Sequence, residues 1–145
     1  MIPASSVRVL VVDDFEPFRR VISSMVQERA ELQLVGEAAD GLEAVQQTQK
    51  LRPDLILLDI ALPRLNGIEA ARRIRRLAPQ SKIIFLSQDS SAELAQEALH
   101  LGARGYVIKS DAGAELFPAV EAVLDGRKYV SNGLAQHVVT DAAKA

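Results

Sequence analysis

The stretch that decides the fold is residues 55–67, LILLDIALPRLNG. It opens with four consecutive apolar residues, a pattern typical of a strand that is buried on both faces. Strands of this kind lie in the middle of parallel sheets. The residue that follows, Asp59, would then stand at the carboxyl end of a central strand, where open α/β folds bind their ligands. We therefore expect Asp59 to lie at a functional edge of a sheet.

Length and composition indicate an ordinary globular domain. The chain has 145 residues, of which 48% are hydrophobic and 25% are charged, with a net charge of −2. This charge gives no reason to expect direct binding to nucleic acid or to an anionic membrane. The absence of cysteine excludes disulfides, thiol catalysis and cysteine-based zinc sites. No segment has the pattern of a signal peptide or membrane span, so we expect a cytoplasmic protein.

Five apolar runs predict five strands, each followed by an amphipathic helical pattern. The predicted strands are residues 7–12, 32–37, 55–59, 82–86 and 105–108. Strands that alternate with helices predict a parallel sheet covered by helices on both faces. The order of the strands does not follow from the pattern itself.

The carboxyl ends of parallel strands share one edge, which predicts which side chains meet there. They are Asp13, Asp14, Asp59, Ser87 and Lys109. Three carboxylates in one cleft need nearby positive charge, and Mg²⁺ together with Lys109 would supply it. A second interpretation of the adjacent pair is that one of these aspartates also caps the helix that follows, since aspartate is a favoured N-cap.

This set of side chains suits phosphoryl transfer, in which catalysis is mostly positioning and electrostatic stabilisation. Asp59 would be the nucleophile and would form an acyl phosphate. Asp13 and Asp14 would hold Mg²⁺, while Lys109 and Ser87 would contact phosphoryl oxygens. A carboxylate nucleophile needs no general base.

Four motifs, VVDDFEPFR, LILLDIALPRLNGIEA, FLS and GARGYVIK, occur in this order and span almost the whole chain. Together they resemble the receiver domain of two-component response regulators. The resemblance implies a flavodoxin-like (βα)5 three-layer sandwich with a parallel five-stranded sheet of order 2-1-3-4-5. It also implies a phosphorylation-dependent signalling switch, whose phosphoryl donor is a phosphohistidine on a sensor histidine kinase.

The resemblance also implies a role for each matching residue. Asp59 matches the phosphoacceptor, and Asp13 and Asp14 match the acidic pair at the metal. Ser87 and Lys109 match the hydroxyl and lysine of the site. The backbone carbonyl of Ala61 matches a further Mg²⁺ ligand, and Tyr106 matches the switch aromatic. From its strand position alone, Tyr106 would be an ordinary half-buried aromatic residue.

The end of the chain predicts how it is organised. Residues 124–131, LDGRKYVS, resemble the join between receiver and linker in regulators of the NarL/LuxR type. We expect a receiver domain over residues 1–126 and a tail or linker stub over residues 127–145. DNA would be contacted only through an output domain absent from this chain, in which case the output is transcription. The sequence leaves homodimer formation open.

Three other functions share some of these sequence features. A phosphatase of the haloacid dehalogenase type needs its two aspartates two residues apart, and here they are adjacent. A nucleotide- or flavin-binding module needs a glycine-rich turn after the first strand, and that turn is acidic here. A stand-alone receiver or pseudo-receiver that acts only as a protein-interaction module is the alternative that remains. The intact acidic pair, Asp59 and Lys109 argue against the pseudo-receiver.

Overall fold

The structure of the protein is a computed structural model that describes residues 6–138. The chain divides into two compact units, of which the first ends at Lys82 and the second begins at Ile83. Within residues 6–138, none of the helices has the length and apolar character needed to cross a membrane.

The first unit contains three parallel strands and three helices. The strands are β1 (Val7–Val12), β2 (Leu32–Ala38) and β3 (Leu55–Asp59), and the helices are α1 (Glu16–Gln27), α2 (Gly41–Leu51) and α3 (Gly67–Leu77). Strand β1 pairs with β2 on one side and with β3 on the other. All five residues of β3 are buried, as its unbroken apolar run predicts.

The second unit is built from strands and helices of the same kind. Its elements are β4 (Lys82–Ser87), α4 (Ala92–His100), β5 (Gly105–Ile108), α5 (Ala112–Leu124) and β6 (Tyr129–Val130), with short 3₁₀ turns at Lys109–Asp111 and Ala135–His137. Strand β5 pairs in parallel with β4 and with β6. Its four residues are buried, which again fits a strand covered on both faces.

The strand order across the sheet is β2-β1-β3-β4-β5-β6. The predicted flavodoxin-like fold and the order 2-1-3-4-5 are thereby confirmed. The structure adds a sixth strand to the five that were predicted. Strand β6 has only two residues, too few to show a hydrophobic pattern typical of a strand. It lies within the stretch predicted as tail or linker. The predicted division at residue 126 remains a prediction.

Side-chain caps define where three of the helices begin. Asp40, Asn66 and Ser91 each accept a hydrogen bond from the backbone N–H three residues later. This contact satisfies one of the N–H groups that have no partner within the helix. The cap at Asn66 matters for function because it fixes the start of α3 immediately after the loop that leaves Asp59.

Candidate functional site

Three aspartates come together at the carboxyl ends of β1 and β3. Val12 and Leu58 are paired in register, so the residues that follow them in the chain, Asp13 and Asp59, also lie close together. Together with Asp14 they bring one carboxylate oxygen each to within 4.8 Å of one another. Asp13 and Asp59 are only 2% and 4% exposed, while Asp14 is exposed to solvent.

The backbone around Asp13 fixes the direction of its side chain. Its N–H donates to the Ala38 carbonyl at 3.0 Å, and its carbonyl accepts from Arg19 Nη1 at 2.8 Å. Its carboxylate oxygen Oδ1 accepts from the Phe15 N–H at 2.8 Å. The N-cap of α1 is Phe15, which makes no side-chain capping bond. Neither Asp13 nor Asp14 therefore caps α1, and the prediction that one of them does so was wrong. The bond from the Phe15 N–H to Asp13 instead closes the loop that precedes α1.

Asp59 is held by the loop that follows it. The Ala61 N–H donates to Asp59 Oδ1 at 3.3 Å, and the Gly67 N–H donates to the Ile60 carbonyl at 2.7 Å. A Cβ atom at Gly67 would lie 2.1 Å from the Asp59 carbonyl oxygen. Glycine is therefore required for α3 to begin this close to the strand that carries Asp59.

The same loop also packs against the turn between β2 and α2. The Gly41 N–H donates to the Pro63 carbonyl at 3.4 Å, and a Cβ at Gly41 would lie 1.7 Å from the Leu65 carbonyl oxygen. Arg64, between them, adopts a positive φ of 67° and forms an ion pair with Asp40 at 3.7 Å. No local sequence pattern at Asp40 and Gly41 indicates that this turn supports the Asp59 loop.

The donor set of the three aspartates fits a hard divalent cation. Carboxylate oxygens are the ligands that Mg²⁺ and Ca²⁺ prefer, and Mg²⁺ is usually held by one or two carboxylates together with water or substrate oxygens. A cation would also offset the mutual repulsion of three carboxylates at this spacing. The structure thus supports a cation site at Asp13, Asp14 and Asp59.

The other predicted site residues lie in the second unit. Ser87 is the last residue of β4 and is buried, Tyr106 is the second residue of β5, and Lys109 begins the 3₁₀ turn directly after β5. Tyr106 and Lys109 lie at the positions along β5 that the sequence predicted, whereas β4, predicted over residues 82–86, extends by one residue to include Ser87.

Ser87 and Tyr106 are connected through Asp89. Ser87 Oγ accepts from the Asp89 N–H at 3.0 Å, and the Tyr106 hydroxyl donates to the Asp89 carbonyl at 2.7 Å. Tyr106 is fully buried. Burial raises the pKa of its phenol above the ordinary value, a hydrogen bond with the Ser87 side chain lowers it, and the charge of Asp89 raises it. No local sequence pattern indicates that the main chain of Asp89 organises this loop.

Comparison with known proteins supplies the family. Residues 9–121 match the family of the response regulator receiver domain. The response regulator GacA of Pseudomonas viridiflava is 34% identical over 132 residues, which are 91% of this chain and 62% of GacA. The chain thus spans about three fifths of the length of this relative.

Solved structures agree with this assignment. A two-component response regulator of the LuxR family from Aurantimonas sp. SI85-9A1 is 36% identical, with a TM-score of 0.86 over 91% of this chain and 94% of that one. The signal receiver domain of the putative response regulator NarL from Mycobacterium tuberculosis is 29% identical, with a TM-score of 0.79 over 85% and 99%. The chain belongs to the response regulator receiver domain family of two-component systems.

Proposed function

We propose that Asp59 is the phosphoacceptor of this receiver domain. The observation that carries the proposal is the cluster of Asp13, Asp14 and Asp59, whose carboxylate oxygens approach within 4.8 Å. An Asp59 carboxylate oxygen attacks the phosphorus of a phosphohistidine on a sensor histidine kinase. A P–O bond forms, the P–N bond breaks, and the electron pair of that bond returns to the imidazole nitrogen. The product is an aspartyl phosphate.

The charge of the site favours this transfer. Mg²⁺ bound by the three aspartates and the Ala61 carbonyl would neutralise the carboxylates and the phosphoryl oxygens. Lys109 forms an ion pair with one phosphoryl oxygen, and the Ser87 hydroxyl donates a hydrogen bond to another. Burial of Asp59 supports these roles because electrostatic attraction is stronger in a site shielded from water.

The output is a change in conformation rather than a released product. Phosphorylation at Asp59 draws Ser87 and Lys109 toward the phosphoryl group and favours the conformation in which Tyr106 is buried. The contacts of Ser87 and Tyr106 with Asp89 support this coupling, since they join both residues to one loop.

The partners follow from the family. A sensor histidine kinase donates the phosphoryl group, and DNA is reached through an output domain. GacA is named as a response regulator, and transcription is the output we propose for a longer protein of that kind. Homodimer formation is compatible with this scheme.

Acyl-phosphate labelling tests the assignment. The protein is incubated with acetyl phosphate and Mg²⁺, and phosphorylation is followed by intact mass and by its lability to hydroxylamine. Wild type and Asp125→Asn, which alters an exposed carboxylate, should both gain one phosphoryl group. Asp59→Asn should gain none. Label retained by Asp59→Asn would overturn the assignment, and an unlabelled wild type would favour a pseudo-receiver that acts through protein contacts alone.

A further inference from the structure

The segment after α5 is packed into the second unit. We call residues 129–138 the C-terminal strap. Its buried side chains are Val130, Ser131, Leu134 and Val138. Ser131 is fully buried, which is unusual for a small polar residue unless its hydrogen bonds are satisfied.

Backbone and side-chain hydrogen bonds join the strap to β5. The Tyr129 N–H donates to the Arg104 carbonyl at 3.0 Å, and the Ser131 N–H donates to the Tyr106 carbonyl at 2.9 Å. The Ile108 N–H donates to Ser131 Oγ at 2.8 Å. The Ser131 hydroxyl thus adds one hydrogen bond between the strap and β5 beyond Val130, the last residue of β6. The last two bonds are made to Tyr106 and to Ile108, the residue before Lys109. Tyr106 and Lys109 are the residues of this region that the proposed function uses.

The strap also lies beside two helices, α5 and α4. The Tyr129 hydroxyl donates to Glu115 Oε1 of α5 at 3.0 Å. At the other end, His137 lines a cavity of about 620 Å³ together with residues of α4. The residues of α4 in this cavity are Ala92, Glu93, Gln96, Glu97 and His100. The strap is therefore hydrogen-bonded to β5 and α5, and it borders a surface pocket that α4 also lines.

We propose that the C-terminal strap reports the phosphoryl state of Asp59 through the hydrogen bonds of Ser131 to Tyr106 and Ile108. The inference rests on the proposed function. When Lys109 is drawn to a phosphoryl oxygen, the end of β5 shifts with it, and Ser131 is bonded to that end. The docked strap occurs in this structure together with a buried Tyr106, so a phosphoryl group that favours the buried Tyr106 also favours the docked strap.

Amide hydrogen exchange measured by NMR tests this coupling. Exchange of the Tyr129, Ser131 and Ile108 N–H groups is compared with and without beryllofluoride and Mg²⁺. We expect these amides to exchange about fivefold more slowly, or slower still, when beryllofluoride and Mg²⁺ are present. Fivefold is the lower end of the usual effect of one site on another. If the signals of Tyr106 and Lys109 respond while these three rates stay unchanged, the strap inference is overturned and the proposed function stands. If no signal near Asp59 responds, both are overturned.

Two variants and a control sharpen the test. Ser131→Ala removes the hydroxyl acceptor, and Tyr129→Phe removes only the bond to Glu115, so the second variant carries the test if the first fails to fold. Because coupling is reciprocal, a variant that undocks the strap should bind beryllofluoride more weakly, by at most the factor by which beryllofluoride slows strap exchange in wild type. Ser110→Ala, an exposed serine beside Lys109, should change neither. Faster exchange with unchanged beryllofluoride affinity in both variants would show a passive anchor and overturn the inference.

Discussion

The Tyr106 hydroxyl donates a hydrogen bond of 2.7 Å to the main-chain carbonyl of Asp89. This bond ties a fully buried aromatic ring on β5 to the loop that follows Ser87. A change in the position of the loop must therefore be accompanied by a change at Tyr106, or this part-buried bond is lost.

Tyr106→Phe should lower the free energy of unfolding by about 1 kcal/mol, because the Asp89 carbonyl loses its donor while the packing of the ring is kept. Urea unfolding measures this loss. Tyr106→Ala, which also empties the ring's place in the core, should cost about 3–5 kcal/mol. Equal losses for the two variants would mean that the hydroxyl, not the ring, carries the contribution of this residue.

Gly67→Ala should lower the free energy of unfolding by about 1–3 kcal/mol, the usual cost of overpacking. The new Cβ would lie 2.1 Å from the Asp59 carbonyl oxygen, so the loop must move away and the Asp59 carboxylate with it. We expect phosphorylation by acetyl phosphate to be slowed in the same variant, as measured by intact mass.

Gly113→Ala is the matched control for this substitution. Gly113 lies in α5, and a Cβ there meets nothing within 4 Å. Replacing glycine by alanine inside a helix should raise stability by about 0.5–1 kcal/mol and leave phosphorylation unchanged. A loss of stability at Gly113 would show that α5 does not tolerate any added side chain there.

The stability of the protein should fall in alkaline solution as its tyrosines ionise. Burial and the hydrogen bond to Glu115 raise the pKa of Tyr129 from 10.0 to about 12. The folded state therefore favours the neutral phenol, and this contribution is complete below pH 10.0 and is lost as the pH rises to about 12. Urea unfolding across this window should show a smaller decline for Tyr129→Phe than for wild type. An identical decline in both proteins would remove Tyr129 as a cause.

Mg²⁺ should raise the thermal stability of the folded protein, since a ligand that binds only the folded state stabilises it by about 2.7 kcal/mol at one hundred times its Kd. Asp13→Asn should reduce this gain, because it removes one of the three carboxylates of the cluster. Thermal unfolding with Mg²⁺ and with EDTA measures the gain, and Asp125→Asn should keep it in full. An undiminished gain in Asp13→Asn would place the cation elsewhere.

Sequence patterns predicted the strands and much of the first unit's site for a simple reason. Unbroken apolar runs identify buried parallel strands, and the residue after each run must lie at the carboxyl edge. Asp13 and Asp59 meet because β1 and β3 are neighbours, which the family resemblance implied and the spacing alone did not.

What the sequence did not reveal depends on contacts between distant segments. The support of the Asp59 loop by Gly41 arises from a close approach to Leu65, and no local pattern records such an approach. The burial of Ser131 is of the same kind, because a serine three residues after a pair of basic residues, Arg127 and Lys128, would be expected at an exposed position.

The short strand β6 has a practical consequence for shortened forms of the protein. A chain cut at the predicted boundary after Gly126 would leave the Tyr106 carbonyl and the Ile108 N–H facing water along an open strand. Open strands of this kind pair with other chains and promote aggregation. Retaining the protein through Val138 should therefore yield a more soluble monomer than ending it at the last residues of α5.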